Sequence, residues 1–376
     1  MQQSMARDFL VRLSEKPTAW QELLRFYFTA AALKAVYNLD ISDVEDSRVA
    51  IIENIFEGLR EVTISAQFLL ERVPLVQHLP TWTPGIGKFF KKVAASKAPN
   101  DLLMETEFAA AKERMEASGT VDASVVSQLL SRLAQTAGAE DDTHEEEVIA
   151  SGVAAVAVEA LRQTFSTSAG FFAAMVLHPE VQQKAQAELE AVVGQHRLPD
   201  FEDKQSLVYI NAIVKEILRW HNVLPLGVSH RTTEDNELRG YFIPQGTMLT
   251  PAVWACMHDP EIYPDPDRFY PERFIRNGQL DPTVLDPADF VFGFGRRKCP
   301  GRHFAEAALF ILIASVLHVF EIGSPKDEDG RPVKLEYEQS HGFLSYPENF
   351  ECTVKLRSAA EATSLIRDSR PQQDPI

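Results

Sequence analysis

Cysteine is scarce in this chain: Cys256, Cys299 and Cys352 are the only three among 376 residues. Three thiols so widely scattered make neither a disulfide framework nor the paired spacing of a zinc site, which points to a reducing compartment. Basic residues are in deficit as well, since 37 Lys and Arg face 54 Asp and Glu for a net charge of −17. That balance argues against nucleic acid or anionic lipid as the main partner. The apolar runs are broken by charge or fall short of the roughly 18 residues that a membrane-crossing helix requires. The first residues, Met1 to Asp8, have no apolar stretch of the secretory type. The sequence therefore predicts neither a transmembrane segment nor a leader.

What is present is a globular composition, 45% hydrophobic and 24% charged, with enough apolar material for one large core or two ordinary domains. Helical periodicity runs through residues 1 to 75, in Leu10, Leu13, Trp20, Leu23, Leu24 and Phe28 and again in Ile51, Ile52, Ile55, Phe56 and Leu59. Breakers between Pro74 and Gly87 open a loop, and residues 88 to 135 return to helical spacing with an interruption at Pro99. The acidic run Ala139 to Glu147 reads as a solvated linker leading into a helix. From Val148 to His178 the chain is apolar and free of proline until Pro179, the profile of one long buried helix. Val181 to Val193 predicts a further helix, Leu238 to Leu249 a β-hairpin with Pro244 to Thr247 in its middle, and Asp259 to Pro266 an ordered loop. Glu216 and Arg219 lie three apart on one helix face, ordinarily a weak surface pair. The polar tail, 361–376, reads as disordered.

The most informative stretch is Phe290 to Arg302, which sets Cys299 among glycines, aromatics and the cations Arg296, Arg297, Lys298 and Arg302. A lone cysteine is most often an inert buried residue. An inert residue needs neither the glycines nor the cations, however. Gly295 and Gly301 allow backbone conformations closed to other residues, so a tight bend can turn amides toward the sulfur. The apolar run Phe304 to Val319 predicts a helix whose amino end further favours an ionised sulfur. Cys299 is thus a candidate metal-ligating thiolate, and a single thiolate suits haem iron.

In these residues the chain resembles the cytochrome P-450 family, whose pattern F-x-x-G-x-R-x-C-x-G is met by Phe292, Gly295, Arg297, Cys299 and Gly301. The resemblance implies a mainly α fold with small β-hairpins and sheets, one haem domain over residues 1–360, and a haem cofactor with Cys299 as axial iron ligand. It also implies that Arg297, His230 and Arg231 meet the haem propionates and that Phe292 shields the sulfur. The E-x-x-R element would be Glu216 and Arg219, joined by Arg273 of the P-E-R-F element in a structural charge network. Val223, Leu224, Leu226 and Val228, with Phe343 and Leu344 from the turn Ser340 to Ser345, would line a pocket for an apolar small molecule. The partner implied is NADPH-cytochrome P-450 reductase, on the cytoplasmic side and peripheral to the endoplasmic reticulum. By the same resemblance the family's amino-terminal region is expected to be missing, because Trp20 is followed four places on by Leu24 and not by the arginine of W-x-x-x-R.

One segment departs from the family. Its A-G-x-D-T element, which gives O2 room and relays protons, falls on Glu159-Ala160-Leu161-Arg162-Gln163. A shift of one residue would leave an amide at Gln163 and an alcohol at Thr164. Arg162 cannot relay protons near neutrality, and buried alone it would be costly. Three readings follow: a monooxygenase of the fungal secondary-metabolite type; a haem-thiolate enzyme of rearrangement or dehydration; and a truncated, inactive relative. A helical binding protein without cofactor is the non-enzymatic alternative.

Overall fold

The computed structural model describes residues 1–53, 103–136, 140–340, 343–348, 350–357 and 365. The loop expected at Pro74 to Gly87, the break at Pro99 and, residue 365 apart, the tail 361–376 lie outside them. The described chain is mainly helical with four small antiparallel two-stranded sheets, and it divides into two compact units.

The first unit comprises Met1–Met5 and Ala19–Phe165. Helix α1 (Gln2–Glu15) begins in it, and α2 (Trp20–Tyr37) is followed by α3 (from residue 47), α4 (103–118), α5 (Val125–Thr136) and α6 (Glu140–Arg162). α2 ends at Asn38, which takes the left-handed φ of 54° and returns its amide to Lys34 O, a helix stop that asparagine tolerates better than most residues. The core joins Leu33, Val36 and Tyr37 of α2 to Leu103, Met104 and Phe108 of α4, Val126 and Leu130 of α5, and Ala150, Ala154 and Val158 of α6. Spacings of four along α6 put its small residues on one buried stripe, while Val148, Ile149, Val153 and Val156 are exposed.

The second unit, Ala6–Thr18 and Ser166–Ile376, contains α7 (Thr164–Leu177, from Ser166 on), α8 (Pro179–Val192), α9 (Val208–Trp220), α10 (Val253–Met257), α11 (Ala288–Val291) and α12 (Arg302–Val319). α12 packs against α8 and α9 and is buried from Ala308 to Val319. Strands β7 (Phe320–Gly323) and β8 (Thr353–Leu356) pair in register Phe320 to Leu356. Gln182 of α8 caps that sheet, accepting from the Ile322 amide and donating to the Ile322 carbonyl, each at 2.8 Å.

Two expectations are corrected. The single buried helix from Val148 to His178 is two helices, α6 and α7, interrupted by a turn at Gln163 whose amide bonds Ala160 O at 3.2 Å. α6 is buried on one side and α7 all round, and apolar composition does not distinguish these cases. The hairpin expected around Pro244 to Thr247 turns earlier: β2 (Asn236–Leu238) pairs with β3 (Tyr241–Ile243) across Arg239 and Gly240. Both turn residues take positive φ, 51° and 83°, as a two-residue hairpin turn demands. The Pro244 turn instead brings β4 (Met248–Leu249) back to β1 (His230–Arg231). By length and composition alone, 148–177 and Arg302–Val319 are apolar enough to cross a membrane. The second is 67% buried within the protein and is a core helix.

Candidate active site

The loop that carries Cys299 is built from α11 to α12. After α11, Gly293 (φ 77°) and Gly295 (φ 57°) make two left-handed turns separated by extended Phe294. Glycine does this at no steric cost. The path folds back so that the Cys299 amide donates to Phe292 O at 2.7 Å and the Lys298 amide to Gly295 O at 3.3 Å. Gly301 differs from expectation. With φ −79° and ψ 2° it is the cap residue of α12, a conformation open to any residue, and the second left-handed glycine is Gly293. A second correction concerns the sulfur, to which none of the described residues donates a hydrogen bond; the bend is closed through the cysteine's backbone instead.

Cys299 is half-buried, three residues ahead of α12, whose amino end carries partial positive charge. Lys298 is paired with Asp289 at 2.8 Å. Arg296 and Arg297, on the 3-10 turn Gly295–Arg297, are exposed and have no ion-pair partner among the described residues. Phe292 is half-buried beside them. His230 and Arg231 stand exposed on β1 in the same unit, and Arg231 Nε donates to Gly246 O at 3.1 Å. The other cysteines have different surroundings. Cys256 lies in α10, and burial pushes the Cys352 thiol up to about 12. A thiol at a helix amino end, two unpaired guanidiniums and an adjacent phenyl ring form the donor set that a haem with one axial thiolate and two propionates requires.

Behind the loop, Glu216 and Arg219 of α9 are fully buried, contrary to the surface-pair default. Glu216 Oε1 and Oε2 accept from Arg219 Nη2 and Nε at 2.9 and 2.8 Å. Arg273, in the 3-10 turn Pro271–Phe274, reaches the same carboxylate at 3.1 Å and also donates to Pro264 O at 2.7 Å. The Tyr270 amide donates to Glu216 at 2.7 Å, and Arg219 Nη1 to Met257 O at 2.9 Å. One carboxylate thus joins α9 to the stretch from Tyr270 to Arg273, and its two arginines extend the network to Met257 and Pro264.

The Val223 segment and the Phe343 turn meet: the Ser345 amide donates to Val223 O at 2.8 Å. Leu344 is buried, Val223, Leu224 and Phe343 are half-buried, and Leu226 and Val228 are exposed. In the first unit, Arg162 is 3% exposed and is ion-paired with Glu53, with Thr29 Oγ1 at 3.5 Å. It is therefore not the lone buried cation the sequence threatened. Gln163 occupies the helix break and Thr164, at the first position of α7, is buried. Reading the sequence missed Glu53, since its partner is 109 positions away. It also missed His221, whose signal is a histidine directly after the apolar helix ending in Trp220.

A mainly helical chain with small two-stranded sheets, in which a cysteine loop runs into a buried helix and α9 carries a buried charge network, defines a helical protein with a thiol at a helix amino end. The sequence pattern described as Cytochrome P450 matches residues 1–354. The chain is similar to cytochrome P450 monooxygenase COX2 of Coprinopsis cinerea, 38% identical over 98% of this chain and 69% of that one. It is also similar to the tryptamine 4-monooxygenase of Psilocybe cyanescens, 35% identical over 95% and 70%, and to cytochrome P450 monooxygenase claR of Ampulloclitocybe clavipes, 36% over 98% and 66%. The chain belongs to the cytochrome P450 family, whose members are haem-thiolate oxidoreductases, as the resemblance implied.

Proposed function

We propose that this protein is a haem-thiolate monooxygenase that oxidises an apolar small molecule in fungal secondary metabolism, with electrons drawn from NADPH through a reductase. The observation that carries the reading is the position of Cys299, half-buried at the amino end of α12 in a bend closed by its own amide. Haem iron held by a thiolate supplies the oxygen-activating chemistry, because the sulfur pushes electron density toward O–O cleavage. In this reading Cys299 is the axial ligand, Phe292 limits water at the sulfur, and Arg297, His230 and Arg231 bind the two propionates. Gly295 and Gly301 admit the loop close to the macrocycle, while Glu216, Arg219 and Arg273 hold the loop's support in place. Val223, Leu224, Leu226, Val228, Phe343 and Leu344 face the apolar substrate. Arg296, Arg297, Lys298 and Arg302 present positive charge to a reductase's acidic face, on the cytoplasmic side of the endoplasmic reticulum.

Proton delivery falls to Gln163 and Thr164. The hydroxyl and amide can hold a water but, unlike a carboxylic acid, supply no proton of their own near neutrality. Arg162, occupied by Glu53, takes no part. This substitution of the acid favours a second reading, a haem-thiolate rearrangement or dehydration catalyst or an impaired relative.

The carbon monoxide difference spectrum of the reduced protein tests the first reading. A thiolate-type band is expected, and an unpigmented protein would sink it. NADPH consumption matched by product separates the monooxygenase from the second reading, in which product forms without NADPH or not at all.

A further inference from the structure

His221 follows α9 directly and is 1% exposed. Both ring nitrogens are engaged: Nε2 lies 2.8 Å from Ser166 Oγ, and Nδ1 lies 2.6 Å from the Tyr337 hydroxyl. Ser166 in turn donates to the Ser345 carbonyl at 2.6 Å. A hydroxyl has one proton, and that of Ser166 is committed to Ser345. Ser166 Oγ must therefore accept from His221, so Nε2 bears the hydrogen and Nδ1 is left to accept from Tyr337. The imidazole is neutral in this arrangement, and burial lowers its pKa to about 3. Ser345 Oγ donates to Gln339 Oε1 at 3.0 Å. The bonds from Tyr337 through His221 and Ser166 run in one sense and end on the Ser345 carbonyl.

Packing holds the ring as firmly as the bonds do. Ser166 and Gly170 lie four apart on one face of α7, and a Cβ built at Gly170 would come within 3.0 Å of His221 Cγ. The imidazole therefore rests directly on the helix backbone. On the other side Trp220 stacks on Tyr337 at 4.3 Å and 20°. Ser345, next to Phe343 and Leu344, is tied to this ring through its carbonyl and to the other proposed pocket wall through its amide, which donates to Val223 O.

We propose that His221 is a positioning residue for substrate selectivity: through Ser166 and Tyr337 it sets the Phe343–Leu344 turn against the segment from Val223 to Val228. The inference rests on the reading that both segments line the substrate site. An apolar pocket separates ligands differing by one methylene by about 10-fold to 200-fold, so a small displacement of one wall alters the preferred chain length. Binding at the iron itself, away from that wall, is left alone.

The test titrates haem-loaded protein with 1-alkylimidazoles from methyl to decyl, read by the shift of the haem absorption band. Tyr337→Phe keeps the Trp220 stack and removes one hydroxyl, and Ser166→Ala removes the other. Both are expected to bind 1-methylimidazole within about twofold of the parent while the decyl-to-methyl affinity ratio changes about tenfold. Ser166→Thr, which restores the hydroxyl, is expected to restore the ratio. An unchanged ratio in both variants, no recovery with Ser166→Thr, or loss of haem from both variants would overturn the proposal, leaving the ring a support of the fold. A parent protein whose spectrum does not respond to 1-methylimidazole would overturn the haem reading beneath it.

Discussion

Glu216 and Arg219, one helical turn apart on α9, form a two-pronged ion pair at 2.8 and 2.9 Å with neither side chain exposed. Arg273 shares the same carboxylate at 3.1 Å. Removing one member of a buried pair leaves the others desolvated and uncompensated, at a cost of about 3–5 kcal/mol. Glu216→Gln should lower the unfolding free energy by that amount and release the Pro271–Phe274 turn. Urea unfolding measures it, and a loss under about 1 kcal/mol, the worth of a surface pair, would contradict the account.

Glu159 presents the opposite case. Both its carboxylate oxygens are buried without a hydrogen-bond partner among the described residues. Burial raises its pKa, Arg162 opposes the rise and Glu53 adds to it. A carboxyl whose folded pKa is raised holds its proton more tightly in the folded chain. The associated stability is present at low pH and is lost as pH climbs from the unfolded value of about 4.3 through the folded one. Glu159→Gln removes this titration, so it should be more stable than the parent at pH 7, with the gap closing toward about pH 4. Parallel stability profiles for the two proteins would refute the assignment.

The glycines of the cysteine loop should not be equivalent. Gly293 and Gly295 hold left-handed backbone, where a side chain costs about 1–2 kcal/mol, whereas Gly301 has φ −79°. Alanine at either of the first two should lower the melting temperature and the haem retained on purification. Gly301→Ala should do less of both, and equal losses at all three would show that φ is not the determinant.

Cys299 and Cys352 separate by environment. Cys352, its thiol pushed up to about 12 by burial, is set as an inert residue. Cys352→Ala should keep the carbon monoxide band and Cys299→Ala should abolish it. The reverse result would move the proposed ligand to the other cysteine.

Much of this was legible before any coordinates. The Cys299 bend is a contiguous run whose glycines, cations and following helix act within a dozen residues, so its chemistry is written locally. The helix periods of α2, α5, α8 and α9 were readable for the same reason, as was the three-residue spacing of Glu216 and Arg219. Burial was not readable. That pair is exposed or enclosed according to whether Met257, Arg268 and Arg273 close over it, and the α6 and α7 segments look equally apolar while only one is surrounded.

The order of residues along the chain decided which side chains can form a helix face, a tight bend or a cation-flanked thiol, because backbone geometry links neighbours directly. Tertiary structure alone decided that Arg162 finds Glu53 and that His221 finds Ser166, 55 positions back, and Tyr337, 116 ahead. It also decided which glycine of the bend turns left-handed. A buried polar group is satisfied by whatever the fold brings within hydrogen-bond reach, and sequence separation does not encode that distance.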